Sequence, residues 1–204
     1  MSKTTVSIKA GTTHQDVATS KDVKKAIPAL AEMVGKIGGV HVRHKGTIGG
    51  SIANNDPAAD YPSACLGLGA TIETNKRKIE ADKFFTGMFE TALKKDEIIT
   101  AVHFPIPKKA AHQKFPNPAS RYAMVGVFVS QDAKGKARVG VTGAAACAYR
   151  SADIEAALNK DFSAKSASGV KISAQGLLND MHATSAYRAH LLSVLAGRAA
   201  GAAA

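Results

Sequence analysis

Two apolar, β-branched runs, RYAMVGVFVS at residues 121–130 and KARVGVTGAAACAY at 136–149, constrain this chain more than any other feature. The polar stretch QDAKGK lies between them, so the pair reads as an antiparallel hairpin, and a hairpin-based sheet covered by helices is expected. Ser151 opens SADIEAALN as a helix start with acidic residues in its first turn, although the Glu of a full capping box is missing. The segments ISAQGLLNDM and SAYRAHLLSVLAGRAAG both carry helical periodicity, and the Ala-rich end AAGAAA is expected to fray.

The first half has a different rhythm. TVSIKA alternates as a short strand does. In SKDVKKAIPALAEMVGKIGG, Val23, Ile27, Leu30, Val34 and Ile37 recur at helical steps, with Ser20 as N-cap, a break or restart at Pro28 and a stop at Gly38-Gly39. Asp60 stands before YPSACLGLGA, where Pro62 suits a first helical turn and Gly69 an end. ATIET and KIEA read as a hairpin across Asn75-Lys76, and EIITAVHFPIP as a strand closed by prolines. The expected class is α+β: a mixed sheet with helices over residues 1–107, then an antiparallel sheet with helices over 108–204.

At 204 residues and 45% hydrophobic, the chain can bury an ordinary core in one domain or two small ones. No run approaches the roughly 18 apolar residues of a membrane span, and the first 20 residues hold no apolar signal core, so a cytoplasmic location is expected. Cys65 and Cys147 are widely separated and outside any CxxC, which points to two buried free thiols rather than a metal cluster. The formal charge of +11 is scattered in ones, twos and threes with few aromatics nearby, which argues against a nucleic-acid-binding module. A dispersed surplus suits a solvated surface or a face that docks an acidic partner.

Candidate chemistry concentrates in GTIGGSIANND, residues 46–56. The seven histidines form no HxH or HExxH, no G-x-S-x-G elbow is present, and His190 reads as a helix-surface or packing residue. The Gly-rich stretch is neither a P-loop nor a dinucleotide fingerprint. Its backbone donors at Gly49, Gly50 and Ser51 suit a pyrophosphate, and Asn54 and Asp60 suit the hydroxyls of a sugar or ribityl chain. Ordinary turn chemistry explains the same glycines, and turn or N-cap work explains Asp56 and Asp60 equally well.

The run VRHKGTIGGSIANNDPAADYPSACLGLGATI resembles the second FAD-binding segment in the flavin subunits of molybdenum hydroxylases, a group that includes carbon monoxide dehydrogenase and xanthine dehydrogenase. GTTHQDV, IPALAEMVGKIGG, DEIITAVHFPIP, KFPNPASRYAMVGVFV, VTGAAACAYR and MHATSAYRAHLLSVLAGRA extend the likeness, in the family's order, over nearly the whole chain. The resemblance implies an oxidoreductase subunit in which FAD takes electrons from [2Fe-2S] clusters on a small subunit, after a molybdenum cofactor on a large subunit has oxidised the substrate. It places Gly49, Gly50, Ser51 and Thr47 at the pyrophosphate and Asn54 and Asp60 along the ribityl and phosphate region. Ile37 would lie near the adenine, and Ile99 with Thr100 at the flavin ring. The family's other Gly-rich loop, A-G-G-x-S-L, does not occur in these residues, so weak FAD retention is expected unless a separate N-terminal lobe supplies it. The runner-up reading is a flavin-free assembly or interaction subunit of such a complex.

Overall fold

The computed structural model describes Ser2 and residues 4–203, which form a mixed α+β fold. Strand β1 (Thr5–Lys9) is followed by short helices α1 (His14–Thr19), α2 (Lys21–Ala26), α3 (Pro28–Gly35), α4 (Val40–Lys45) and α5 (Ile48–Asn54). Next come α6 (Asp60–Leu68), β2 (Thr71–Thr74), β3 (Lys78–Glu80), a 3-10 turn at Ala81–Lys83, β4 (Phe85–Gly87), β5 (Glu90–Thr91) and β6 (Ile99–Pro105). The second half holds β7 (Lys109–Pro116), β8 (Ala123–Gln131), β9 (Ala137–Thr142), β10 (Tyr149–Arg150), α7 (Ala152–Lys160), α8 (Ala164–Ser168) and α9 (Ser185–Ala202).

The first sheet has the order β1-β6-β2-β3, antiparallel throughout, and the hairpin across Asn75-Lys76 sets Ile72 opposite Ile79. Ser20 caps α2 by accepting the Val23 N–H, and Pro28 restarts the chain as the first residue of α3, where its missing donor costs nothing. Helix α3 ends at Gly35, so Ile37 lies beyond it. The glycines of GTIGGS do not take left-handed backbone; Asn55, which ends α5, does so with φ 45°. The stretch 40–54 is therefore two helices rather than an open loop. Tertiary contact overrides the poor helix propensity of its glycines.

The second sheet runs β10-β9-β8-β7, and the QDAKGK turn joins β8 to β9 as expected. Strand β7 is one the sequence pattern does not announce, because AAHQK carries few β-branched residues. It forms against the strongly apolar β8, with Lys114 opposite Gly126. ISAQGLLNDM is not helical, contrary to its periodicity: Gly176 turns at φ +80°, and the Leu178 N–H donates to the Ala144 carbonyl. Asp180 there accepts the backbone N–H groups of His182 and Ala183 and pairs with the buried Arg188 of α9 at 2.7 Å. The Ala-rich end does not fray before Ala202, since Ala199 and Ala200 are buried. Cys65 is buried and Cys147 only half-buried, which corrects the expectation of two buried thiols.

Helix α6 connects the two halves. All of its residues are buried, and it packs on β8 and β9. Phe128 on one face of β8 belongs to the core around α6, whereas Val127 and Val129 belong to the core under α9. Burial on both faces explains why the hairpin runs are continuously apolar. The approach of α6 is close: a Cβ on Gly140 would overlap the Ser63 carbonyl oxygen, and one on Gly67 would sit 2.9 Å from the Phe128 carbonyl oxygen. Gly140→Ala is expected to lower the unfolding free energy by about 2–3 kcal/mol, measured by denaturant titration. Gly135→Ala, at an open turn but with φ +86°, tests the distinct cost of backbone strain in the same assay.

Candidate functional site

A cavity of about 430 Å³ opens between the α5 to α6 region and residues 120–122. It brings together Ile37, Thr47, Gly50, Ser51, Asn54 and Asp60, six of the nine site residues marked in the sequence. Gly49, Ile99 and Thr100 lie outside it. Ile99 packs against the first core, and the Thr100 hydroxyl donates to the Glu73 carbonyl at 3.2 Å.

The wall at 46–51 is built by docking onto residues 10–14. The Gly49 N–H donates to the Ala10 carbonyl at 2.9 Å, the Ile48 N–H to that of Thr12 at 3.1 Å, and the His14 N–H to that of Gly46 at 2.9 Å. Thr47 is the N-cap of α5: its Oγ1 accepts the Gly50 N–H at 3.1 Å and its carbonyl accepts the Ser51 N–H at 3.0 Å. The donors at Gly49, Gly50 and Ser51, free by sequence, are thus engaged within the fold. They are not equivalent, because Gly50 is exposed at the cavity and bonded to an exchangeable hydroxyl, while Gly49 is buried under Ala10.

Asp60 is the first residue of α6 and is 5% exposed; the N-cap is Ala59, so Asp60 does no capping work. Its Oδ2 accepts a hydrogen bond from Lys114 Nζ at 2.9 Å, and its Oδ1 is buried with no hydrogen-bond partner among the described residues. Burial pushes its carboxyl up to about 6, against the opposing pull of the Lys114 ammonium. His112 Nε2 stands 4.0 Å from Oδ1, and burial, helped by the charges of Lys114 and Lys36, lowers the imidazole to about 3, so it is neutral. Asp56, in contrast, does turn work: its Oδ1 accepts the Ala58 N–H at 2.8 Å.

Several cavity residues carry no mark in the sequence reading: His14, Val42, Lys45, Arg121 and Tyr122. Arg121 takes left-handed backbone, φ 64°, and donates to the Gly38 carbonyl at 3.1 Å, which lays Ser120–Tyr122 against the end of the α3 segment. That bond spans 83 positions, so no local pattern signals it. Lys45 and Arg121 supply cationic charge, and Val42 and the half-exposed Tyr122 supply apolar surface. This mixture suits a ligand that is anionic in one part and apolar in another. Arg43 does not line the cavity and is occupied with Gln15 and with the carbonyls of Ile37 and Gly38.

Comparison with known proteins adds to this geometry. Residues 1–107 match the family described as the FAD binding domain in molybdopterin dehydrogenase. The glyceraldehyde dehydrogenase medium chain of Sulfolobus acidocaldarius is 35% identical over 136 residues, 64% of this chain and 48% of that protein. The nicotine 6-hydroxylase medium subunit of Paenarthrobacter nicotinovorans is 32% identical over 91% of this chain and 70% of its own length. The chain thus spans about half of the first relative and more of the second. A chain of the carbon monoxide dehydrogenase from Hydrogenophaga pseudoflava that lacks the Mo-pyranopterin moiety superposes with a TM-score of 0.83 at 25% identity, over 98% of this chain and 75% of that one.

The two adjacent glycines make separable predictions. A Cβ at Gly49 would lie 2.5 Å from the Ala10 Cβ and 2.9 Å from its carbonyl oxygen, whereas one at Gly50 meets only Thr47 Oγ1 at 3.1 Å. Gly49→Ala is expected to cost about 1–3 kcal/mol in thermal or denaturant unfolding. Gly50→Ala is expected to stay within about 0.5 kcal/mol of the parent.

Proposed function

The chain belongs to the family of FAD-binding domains of molybdopterin dehydrogenases, and we propose that its cavity holds FAD for an oxidoreductase complex of the molybdenum hydroxylase type. The observation that carries this is Asp60, which lines a cavity that also gathers Thr47, Gly50, Ser51 and Asn54, and whose buried Oδ1 has no hydrogen-bond partner among the described residues. A buried carboxylate oxygen left unbonded is costly, and a ligand hydroxyl donating to it relieves that cost. The remaining residues fit the same ligand. Thr47 Oγ1 and the Gly50 N–H can exchange their mutual bond for an anion, with Lys45 and Arg121 supplying charge, and Val42 and Tyr122 cover apolar parts.

When bound, FAD supplies acceptance of an electron pair and its onward release. The chain's own part is to hold the cofactor, orient it and limit its contact with water. In this reading the companions are a large molybdenum-cofactor subunit and a small [2Fe-2S] subunit, and the relatives called medium chain or medium subunit support it. A flavin-free interaction subunit is the second reading, favoured by the internal bonding of the Gly49, Gly50 and Ser51 donors.

Titrating FAD against the chain, followed by flavin fluorescence, separates the two. Saturable quenching is expected for the parent protein. Gly50→Val, which crowds the cavity wall, is expected to weaken binding by about tenfold or more with little change in melting temperature. Absence of saturable binding by the parent even when an N-terminal lobe carrying the A-G-G-x-S-L loop is added would overturn the FAD reading in favour of the interaction subunit.

A further inference from the structure

We propose that Ser7, His103 and Glu73, aligned across three neighbouring strands of the first sheet, form a nucleophilic site at which the Ser7 hydroxyl takes an acyl group from a short activated ester. The site is separate from the FAD reading, because none of the three residues lines that cavity.

The alignment follows from strand register. Ser7 stands on β1, His103 on β6 and Glu73 on β2, which are adjacent in the sheet. Alternation buries Val6, Ile8, Val102, Phe104 and Ile72 on the inner face and turns all three polar residues to the outer one. Ser7 lies directly opposite His103. The Ala10 N–H donates to the Thr100 carbonyl and the Ile106 N–H to that of Thr4, so even-numbered residues of β1 occupy the hydrogen-bonded pairs of this ladder. Ser7 and His103 therefore form a non-hydrogen-bonded pair, the kind whose side chains stand closer together.

The hydrogen bonds assign the roles. Glu73 Oε2 accepts from the Nε2–H of His103 at 2.6 Å, which fixes the proton of the neutral ring on Nε2. Nδ1 is then the free acceptor, and the exposed Ser7 hydroxyl donates to it at 2.8 Å. The hydrogen bond from His103, supported by Lys78 Nζ at 3.4 Å from the same oxygen, holds the Glu73 carboxyl below its ordinary range and so keeps it ionised. Ser7 is thus placed as nucleophile, His103 as general base and Glu73 as the positioning residue of the imidazole. Strand β1 is at the sheet edge, and the Ser7 N–H has no acceptor among the described residues. Pointing to that open edge, it can receive the charge that develops on the ester oxygen. A recess of about 210 Å³, lined by Thr5, Thr71, Lys78, His103 and Pro105, leaves room for a short acyl chain.

In the acylation step Ser7 Oγ bonds to the ester carbon while its proton passes to His103 Nδ1. The ester C–O bond breaks, and the departing alkoxide or phenoxide takes up that proton. Water, deprotonated by the same nitrogen, then attacks the acyl-serine, releasing the carboxylic acid and restoring Ser7.

The test treats the full chain with p-nitrophenyl acetate and maps acetylated residues over time by mass spectrometry. Ser7 is expected to be acetylated about a hundredfold or more faster than Ser173, an exposed serine whose hydroxyl accepts the Gln175 N–H and bonds no imidazole. This comparison within the parent needs no variant and decides the matter should a variant fail to fold. His103→Gln is expected to remove the advantage of Ser7. Glu73→Gln, whose amide can donate as well as accept, is expected to slow Ser7 acetylation about tenfold or more. Nitrogen-15 NMR of the neutral His103 ring should show the Nε2–H tautomer in the parent and a mixture in Glu73→Gln, a signature that loss of a merely structural contact would not give. Equal labelling of Ser7 and Ser173, acetylation confined to lysines, or equal Ser7 rates in the parent and a folded His103→Gln variant overturns the proposal and leaves the three residues as a cross-strand fastening. An unchanged rate and tautomer in Glu73→Gln overturns the role of Glu73 alone.

Discussion

At the contact between α6 and β9 the two backbones come so near that only glycine fits at position 140, where an added Cβ would overlap the Ser63 carbonyl oxygen. Gly67 makes a similar concession toward the Phe128 backbone on the neighbouring strand β8. Such an approach turns a nine-residue helix into a shared core element, buried along its whole length and lying against the second sheet while its residues belong to the first core. Shifting α6 by even a methyl group would disturb both halves at once, because interiors packed at this density have no free space to absorb the change. The position of Asp60 follows from this constraint, since it is the first residue of that helix.

The same helix explains the character of the second sheet. With α6 on one face and, on the other, α9 over β8 and α7 over β9, the two strands lose the alternation of a half-exposed strand and become continuous apolar runs. Arg188, 3% exposed on α9, secures the outer layer through the carbonyls of Met124 and Gly143 and through Asp180. A buried guanidinium needs several acceptors to offset its desolvation, and these four oxygens supply them.

Elements with local causes were legible in the sequence. The β8–β9 hairpin, the Ser20 cap, the Pro28 restart, the Asn75-Lys76 hairpin and the Gly69 stop each depend on residues within a few positions of one another. What the pattern missed depends on distant partners. AAHQK becomes β7 because β8 lies beside it, and GLLND stays irregular because Asp180 serves Arg188 and Leu178 serves Ala144. At the site, the motif drew attention to Thr47, Gly50, Ser51, Asn54 and Asp60, which the fold does gather around one cavity. Arg121, Tyr122 and Lys114 were invisible there, since they arrive from residues far downstream.

The glycines of the motif show why a pattern can mark a site while blurring its parts. Gly49 is needed because Ala10 presses on it, and Gly50 lies open at the cavity wall, so adjacent identical residues answer to packing in one case and to access in the other. The cavity is divided in the same way. Its floor and one wall come from residues 37–60, and the facing wall is Ser120–Tyr122, fastened to Gly38 by Arg121. Lys114 reaches from β7 to both Asp60 and Lys36. A ligand bound there would contact both halves of the chain and stabilise their association through its preference for the assembled form. Occupancy of the cavity would therefore be linked to docking of the two sheets, through one buried ammonium and one arginine at the cavity rim.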